Sequence, residues 1–516
     1  MDPVSVGFFS LVPPLISLIL ALKTRDVFSS LIVGVFSGTM IYAFSTDGNP
    51  LIRTFEVAVD VLVSSVNLKI ALFCLLLGAL VSVIEAAGGL RAYGTWVRDR
   101  ISSRRKAQLS TSLLGILIFI DDYFNCLTVG TVMRPITDRF RISREKLAFL
   151  VDSTAAPICI LVPISSWAVA VSSNISSDSG YSVYLQCIPW NLYAIFCLIF
   201  LFAVVLLQFD FGPMRHAEKV AQQPDLQFTG VDRDDEETDS ASAPKSTLAD
   251  MLVPIFVLTA VTMISMLYTG GYWGGDPKFH DIATAIGNTE ADRSLIFGCF
   301  AGLAVAYLMF IPRKLLKISE FSQSAVKGAQ MMFPAVVILT LAWTISAVTH
   351  DLLDAPHYIA GLLDGGSSFV VPLLPALIFV LAGTLSFCTG TAWGTFGILI
   401  PVVSSTLAAI SLDNSAFMNI AIAATLSGSV FGDHCSPISD TTILSSAGSR
   451  CELISHVVTQ MPYSIFVAVC ALAGFLVAGY TQSLALSFAA SAGVMICGIL
   501  AIKRIIGYRY RKDPGI

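Results

Sequence analysis

Residues 115–135 read GILIFIDDYFNCLTVGTVMRP. The run is apolar enough to enter a bilayer, yet it holds two adjacent carboxylates, Asp121 and Asp122, and then Asn125. On insertion scales one Asp at a helix centre costs about 3 kcal/mol, so two oppose insertion by roughly 6 kcal/mol unless they face water or a partner. Ionisable residues at membrane depth are functional until shown otherwise.

Composition places that depth in a membrane. The 516-residue chain is 55% hydrophobic and 13% charged, with a mean hydropathy of +0.76, which excludes an ordinary soluble domain. Apolar runs of bilayer length recur along it. Eleven cysteines lie mostly inside those runs, with no CxxC pair and no metal-like spacing, so they read as small buried hydrophobes. The first apolar run lacks a basic leader and a small-residue cleavage site, and is expected to stay as a membrane helix.

Lys and Arg set the orientation, since cytoplasmic loops carry them in excess. Full crossings are expected near 5–22, 28–45, 68–88, 147–172, 187–208, 249–269, 294–312, 327–347, 415–447, 457–480 and 483–502. The stretch 46–67 is read as a loop between them. RAYGTWVRDRISSRRK (91–106) and RPITDRFRISREK (134–146) are both strongly basic, so both flanks of 108–133 belong in the cytoplasm. A re-entrant hairpin with its tip at DDYFN satisfies this; backbone there must be held by protein or a water-filled cavity. The stretches 172–186 and 350–368 fall outside, and the tail KRIIGYRYRKDPGI (503–516) inside. That leaves 372–404 as a second hairpin entering from the opposite face.

The expected fold is an all-α polytopic membrane protein with about eleven crossings, N-out/C-in, built as inverted repeats. Residues 1–208 form the first repeat (hairpin 108–133, broken helix 147–172), and 249–480 the second (hairpin 372–404, broken helix 415–447). A cytoplasmic linker, 209–248, is polar and acidic near 230–240 and is read as solvated. Residues 481–516 add a C-terminal crossing and a basic tail. Short similarities support the repeat: FNCLTVGTVMRP (124–135) aligns with GTAWGTFGILIP (390–401), and DSTAAPICI (152–160) with GDHCSPISD (432–440). Inverted repeats with broken helices and a midplane site mark secondary transporters.

Four stretches break the helices with polar groups: IDDYFN (120–125), DSTAAPICILVPISSW (152–167), CTGTAWG (388–394) and GDHCSPISDTTILSS (432–446). Pro157, Pro163 and Pro437 each remove a helix hydrogen bond, and Gly390 and Gly394 admit close backbone approach. Carboxylates and hydroxyls together make a hard-oxygen site suited to Na+ or protons. The expected ion-binding set is Asp121, Asp122, Asn125, Asp152, Thr154, Thr391, Asp433, Ser436 and Asp440, with Asp122, Asp152 and Asp433 as Na+ ligands. For Asp121 and Asp122 a water-exposed turn is the alternative, and for Asp152 a structural hydrogen bond. One of Asp433 and Asp440 is expected to be structural. His434 and Cys435 read as capping or packing groups, and Trp167 and Trp393 as packing or as a platform for an organic solute.

These motifs resemble the NhaC-type sodium/proton antiporter family of the ion transporter superfamily. The resemblance rests on IDDYFNCLTVGTVMRPITD, DSTAAPICILVPISSW, GTAWGTFGILIPV and FGDHCSPISDTTILSS. It implies exchange of Na+ for H+ by alternating access in the cell membrane. It also implies an alternative, a Na+- or H+-coupled transporter of a small organic solute such as malate, lactate or an amino acid. Adjacent carboxylates in a low dielectric cannot both ionise readily, so Asp121 and Asp122 should share a proton and titrate as a pair. No cofactor is expected beyond Na+ as transported or coupling ion, and no nucleic acid; the partners are the lipid bilayer, Na+ and H+, and a homodimer is compatible with the sequence. An enzyme is not expected, since an intramembrane diphosphate site would need basic residues and no Lys or Arg lies near these tips. A channel would not need alternating inverted halves with unpaired carboxylates.

Overall fold

The computed structural model describes the chain except residues 2, 25, 90, 91, 93–99, 120, 176–179, 224–245, 277, 278, 356, 357, 359–370, 410–414, 438 and 513–516. Among the described residues every regular element is helical. In chain order these are α1 (Val12–Thr24), α2 (Val27–Phe44), α3 (Pro50–Ser65), α4 (Leu68–Ala86), α5 (Arg104–Leu117), α6 (Asp122–Arg139), α7 (Arg144–Asp152) and α8 (Ala156–Cys159). Then come α9 (Ser166–Ser173), α10 (Gly180–Cys187), α11 (Leu192–Leu207), α12 (Gly212–Ala221), α13 (Ala249–Thr269), α14 (Ile282–Gly287) and α15 (Ala291–Phe310). The chain closes with α16 (Ile318–Ala347), α17 (Leu374–Thr389), α18 (Ala392–Ala409), α19 (Ser415–Cys435), α20 (Asp440–Ser449), α21 (Leu453–Thr481) and α22 (Leu484–Lys512).

Among the described residues eight helices are long and apolar enough to cross a membrane, and α10 and α11, bent by 43° at Asn191, make a ninth when taken as one span. The sequence reading counts about eleven because it also takes in α1, α2 and the broken stretch 147–172, whose pieces are shorter, and leaves out α17, which it places in a hairpin. Three readings of connecting segments need correction. Residues 46–67 hold α3, not a loop: the Asn49 side chain accepts from Leu51 N–H, Pro50 opens the helix, and Thr54, Val57, Ala58 and Val61 bury one helical stripe. Arg53, Glu56 and Asp60 interrupt the hydropathy there and hide the periodicity. Part of the expected outer loop 172–186 is likewise helical, as α10. The linker begins as a packed helix, α12, with Met214 and Glu218 buried. Its acidic middle, half of the basic loop 91–106 and most of 350–368 lie outside the described residues.

Two helix pairs fold back on themselves. Glu218 of α12 pairs with Arg104 at the start of α5 and accepts from Ser143 N–H (2.8 Å), just past the end of α6. One carboxylate thus holds both ends of the α5–α6 pair. In the second, Leu374 at the start of α17 and Leu407 near the end of α18 share one apolar cluster with Phe417. Its turn is at Gly390, whose φ of +69° only glycine adopts without strain.

Two helices are broken. The first runs α7–α8–α9, with Pro157 inside the break and Ser165 capping α9 through Ala168 N–H (3.2 Å). The second runs α19–α20, with Ser439 capping α20 through Thr442 N–H (3.3 Å). Beside these four elements, α4 packs on α13, α15 and α16, and α16 also packs on α2, α3 and α18.

Candidate functional site

Four helices start at the breaks: α6 at Asp122, α9 at Ser166, α18 at Ala392 and α20 at Asp440. Their starts meet. Ser166 Oγ donates to Asp121 Oδ2 (3.1 Å), the rings of Trp167 and Trp393 pack edge to face at 5.9 Å, and Asp440 N–H donates to the Gly390 carbonyl (3.3 Å). Helices α6 and α20 touch backbone to backbone at Gly130, where a Cβ would lie 2.7 Å from the carbonyl carbon of Gly448. Each helix start presents unpaired N–H groups and the positive end of its dipole. That convergence offsets part of the cost of placing carboxylates here.

The carboxylates are not equivalent. Asp122 is 1% exposed and neither of its oxygens accepts a hydrogen bond. The Trp167 indole N–H faces it without reaching hydrogen-bond geometry. Asp121 and Asp433 both lie within electrostatic reach of Asp122. Asp433 is occupied: Ser439 Oγ donates to one oxygen (2.8 Å) and Thr441 Oγ1 to the other (2.6 Å). Asp440 is exposed and accepts from the half-buried Tyr123 hydroxyl (3.4 Å), so the cluster opens to the surface there.

Asp152 sits at the end of α7, fully buried, and is held from the far half of the chain. Ser445 Oγ donates to Oδ1 (3.3 Å), Gln460 Nε2 donates to Oδ2, and His456 Nε2 lies 3.6 Å from Oδ2. Neither His456 nor Gln460 is among the residues the sequence singles out. A histidine and a glutamine four residues apart in a membrane helix whose other polar residues are hydroxyls are the signal that marks them.

The remaining expected residues hold backbone. Asn125 Nδ2 donates to the carbonyls of Gly115 (2.7 Å), Ile118 (2.8 Å) and Thr154 (3.1 Å), joining the first hairpin tip to the first broken helix. Thr154 Oγ1 donates back to Leu150 (2.8 Å), and Ser436 Oγ donates to the Phe387 carbonyl (2.7 Å). Thr391 caps the start of α18 by accepting from Gly394 N–H (3.4 Å). Trp167 and Trp393 pack against each other and Phe396, yet both indole N–H groups lack a partner. His434 Nδ1 meets the Tyr193 hydroxyl at 3.1 Å. Among the described residues no three acidic, histidine or cysteine side chains converge as a metal site, so no carboxylate cage stands ready around Asp122, Asp152 and Asp433.

Residues 168–480 match a model of the Na+/H+ antiporter family. The chain belongs to that family. The match runs from within α9 to the end of α21 and begins after the first hairpin, so the roles of Asp121, Asp122 and Asp152 rest on geometry. An uncharacterized protein of Haemophilus influenzae is 35% identical over 97% of this chain and 96% of its own length. The malate-2H+/Na+-lactate antiporter of Bacillus subtilis is 32% identical over 37% of this chain and 39% of that protein. The arginine/ornithine antiporter of Halobacterium salinarum is 36% identical over 21% of this chain and 22% of its own. Among solved structures, Neisseria gonorrhoeae MtrF, of a class of antimetabolite efflux pumps, superposes with a TM-score of 0.50 at 13% identity, covering 90% of this chain and 98% of that one. That likeness concerns fold alone. This family member is an integral membrane protein and a secondary transporter of the antiporter kind.

Proposed function

We propose that the protein exchanges Na+ for H+ by alternating access, with Asp122 carrying one ion or the other. The observation behind this is that both Asp122 oxygens are buried and bare. An unpaired buried carboxylate costs several kcal/mol, so Asp122 is stable only with a proton or a cation on it. One site that holds either ion exchanges them when it faces alternate sides. Asp121 adds negative charge beside it, Asp433 adds more from the second half, and hard oxygen ligands suit Na+ over softer metals.

In this reading residues 1–208 and 249–480 are inverted repeats in an N-out/C-in chain, and the hairpins enter from opposite faces. What supports it is that each half runs through a folded-back pair and then a broken helix, and that Arg104, Arg105, Lys106, Arg139, Arg141 and Arg144 cluster at the base of the first pair. The hairpins and broken helices then move as one bundle past α4, α13, α15 and α16. Cysteines placed singly at Ser102 and Arg141 should both be labelled from the cytoplasm. Labelling of one of them from outside would sink the hairpin.

A second reading has its own support. The unpartnered indole N–H groups of Trp167 and Trp393 are donors that a small carboxylate or amino acid would accept from. Purified protein in liposomes separates the two. In the first reading a Na+ jump alone moves protons; in the second, no pH change follows until malate, lactate or an amino acid is added.

A further inference from the structure

We propose that Tyr123 is a gate over Asp122, held shut by its hydrogen bond to Asp440 and opened when a cation binds that exposed carboxylate. The proposal rests on the exchange reading above. Tyr123 follows Asp122 directly and is half-buried, and its hydroxyl donates to Asp440 Oδ2 (3.4 Å). Four carboxylates lie within electrostatic reach of that hydroxyl: Asp440 foremost, then Asp122, Asp433 and Asp121. Asp121, Asp122 and Asp433 are buried and Asp440 is exposed, so the phenol stands between the site and the surface. Behind it both oxygens of Asp122 lack a hydrogen-bond donor, so an ion that passes has a place to stop.

The surface that Asp440 reaches is a path and not lipid. Helices α6 and α20 lie side by side and run the same way. Their starts meet at Tyr123 and Asp440, they touch at Gly130 and Gly448, and beyond them Arg144 Nη1 donates to the Arg450 carbonyl (3.2 Å). Along α20 the exposed residues are Asp440, Ile443 and Ala447, and Arg450 follows them, one helical stripe. A stripe with a carboxylate at its deep end does not face hydrocarbon. In the orientation proposed above it leads from the cytoplasm to Tyr123. The latch at its inner end is weak enough to yield. Its 3.4 Å exceeds the usual range of about 2.5–3.0 Å for a hydroxyl donor, whereas Ser439 and Thr441 hold Asp433 at 2.8 and 2.6 Å. A cation and a phenol hydrogen compete for the same carboxylate lone pairs, and an exposed carboxylate gives up little hydration to take the cation. The phenol oxygen, a hard ligand, then turns to the ion. Because α6 and α20 belong to one bundle, opening is a side-chain movement and needs no shift of helices.

The test is Na+/H+ exchange by the full chain in liposomes of known orientation, with Na+ titrated on one face at a time. Tyr123→Phe keeps the ring and removes the donor, which favours the open state. Half-saturating Na+ on the cytoplasmic face should then fall about threefold or more, and the maximal rate should fall with it, since the site no longer shuts before it crosses. Asp440→Asn still accepts from Tyr123 but no longer draws a cation, so half-saturating Na+ on that face should rise by a similar factor. General damage to the protein does not give two shifts of opposite sign, and either variant gives its own sign if the other fails to insert. An unchanged value in whichever inserts, or shifts of one sign in both, overturns the gate and leaves exchange at Asp122 standing. A wild type that moves no Na+ against protons overturns the exchange reading, and the gate with it.

Discussion

The two helix breaks hold a buried carboxylate each, and they hold it by opposite means. At the second break Asp433 is held within its own half, by Ser439 and Thr441 a few residues downstream. At the first break Asp152 is held across the molecule, by Ser445 and Gln460 from the second half. A carboxylate stapled locally keeps its break in shape however the halves sit. One held across the halves depends on their arrangement. Asp433 is therefore architectural first and chemical second, and Asp152 the reverse, while Asp122 is held by neither means.

The largest effect should come from that unheld group. Asp122→Asn removes the charge that takes the ion, and coupled exchange should fall by about 100-fold or more, equivalent to about 3 kcal/mol of lost ion binding. Asp121→Asn should cost only about tenfold, since Ser166 can still donate to the amide oxygen. Flux in liposomes, normalised to inserted protein, measures both. Near-normal exchange in both variants would remove the hairpin tip from the chemistry and shift the load to the breaks.

Next in size is the local staple. Asp433→Asn weakens two hydrogen bonds to a buried charge, worth about 1.5–3 kcal/mol each, so unfolding in detergent should occur at a clearly lower temperature. The apparent affinity for Na+ should move far less than in Asp122→Asn. If instead Asp433→Asn matches Asp122→Asn in lost affinity at unchanged stability, the contrast between the breaks fails.

How much of this was legible in the sequence follows from the range of each interaction. The membrane class, the polar interruptions at 120–125 and 388–394 and the depth of Asp121 and Asp122 show in local pattern: a run of apolar residues, a glycine, a charge where none is cheap. The basic flanks of 108–133 point to a fold-back, and Glu218 joins the two ends of that segment. What stayed hidden was pairing at long range. Gln460 reaches Asp152 across 308 residues, and no spacing rule connects them. Helix α3 was missed for another reason: its charged stripe lowers the mean hydropathy, although its buried stripe keeps helical period.

A middle-sized effect tests whether the halves are locked at the site. Gly130→Ala places a methyl against Gly448, where backbone cannot yield as a flexible side chain would. Overpacking of this kind costs about 1–3 kcal/mol. Because α6 and α20 both belong to the bundle that moves as one, turnover per inserted protein should stay near that of the wild type. A variant with slowed turnover would show that α6 and α20 shift against each other during transport.

The smallest effects compare one hydroxyl at each break. Thr441 Oγ1 lies 2.6 Å from Asp433 and Ser445 Oγ lies 3.3 Å from Asp152, so the first bond is short and the second near the limit of its class. Thr441→Val keeps side-chain shape and leaves one buried carboxylate oxygen bare, which should cost about 1.5–3 kcal/mol of stability. Ser445→Ala removes a weak donor from a carboxylate that keeps Gln460, and its cost should stay near 0.5–1 kcal/mol. The ordering should invert for transport: Ser445→Ala acts on the group held across the halves and should slow exchange more than Thr441→Val does. Chemical unfolding of the two variants gives the first ordering, and flux in liposomes, normalised to inserted protein, gives the second. If Thr441→Val leads in both, the local staple carries chemistry after all, and the two breaks differ in address but not in role.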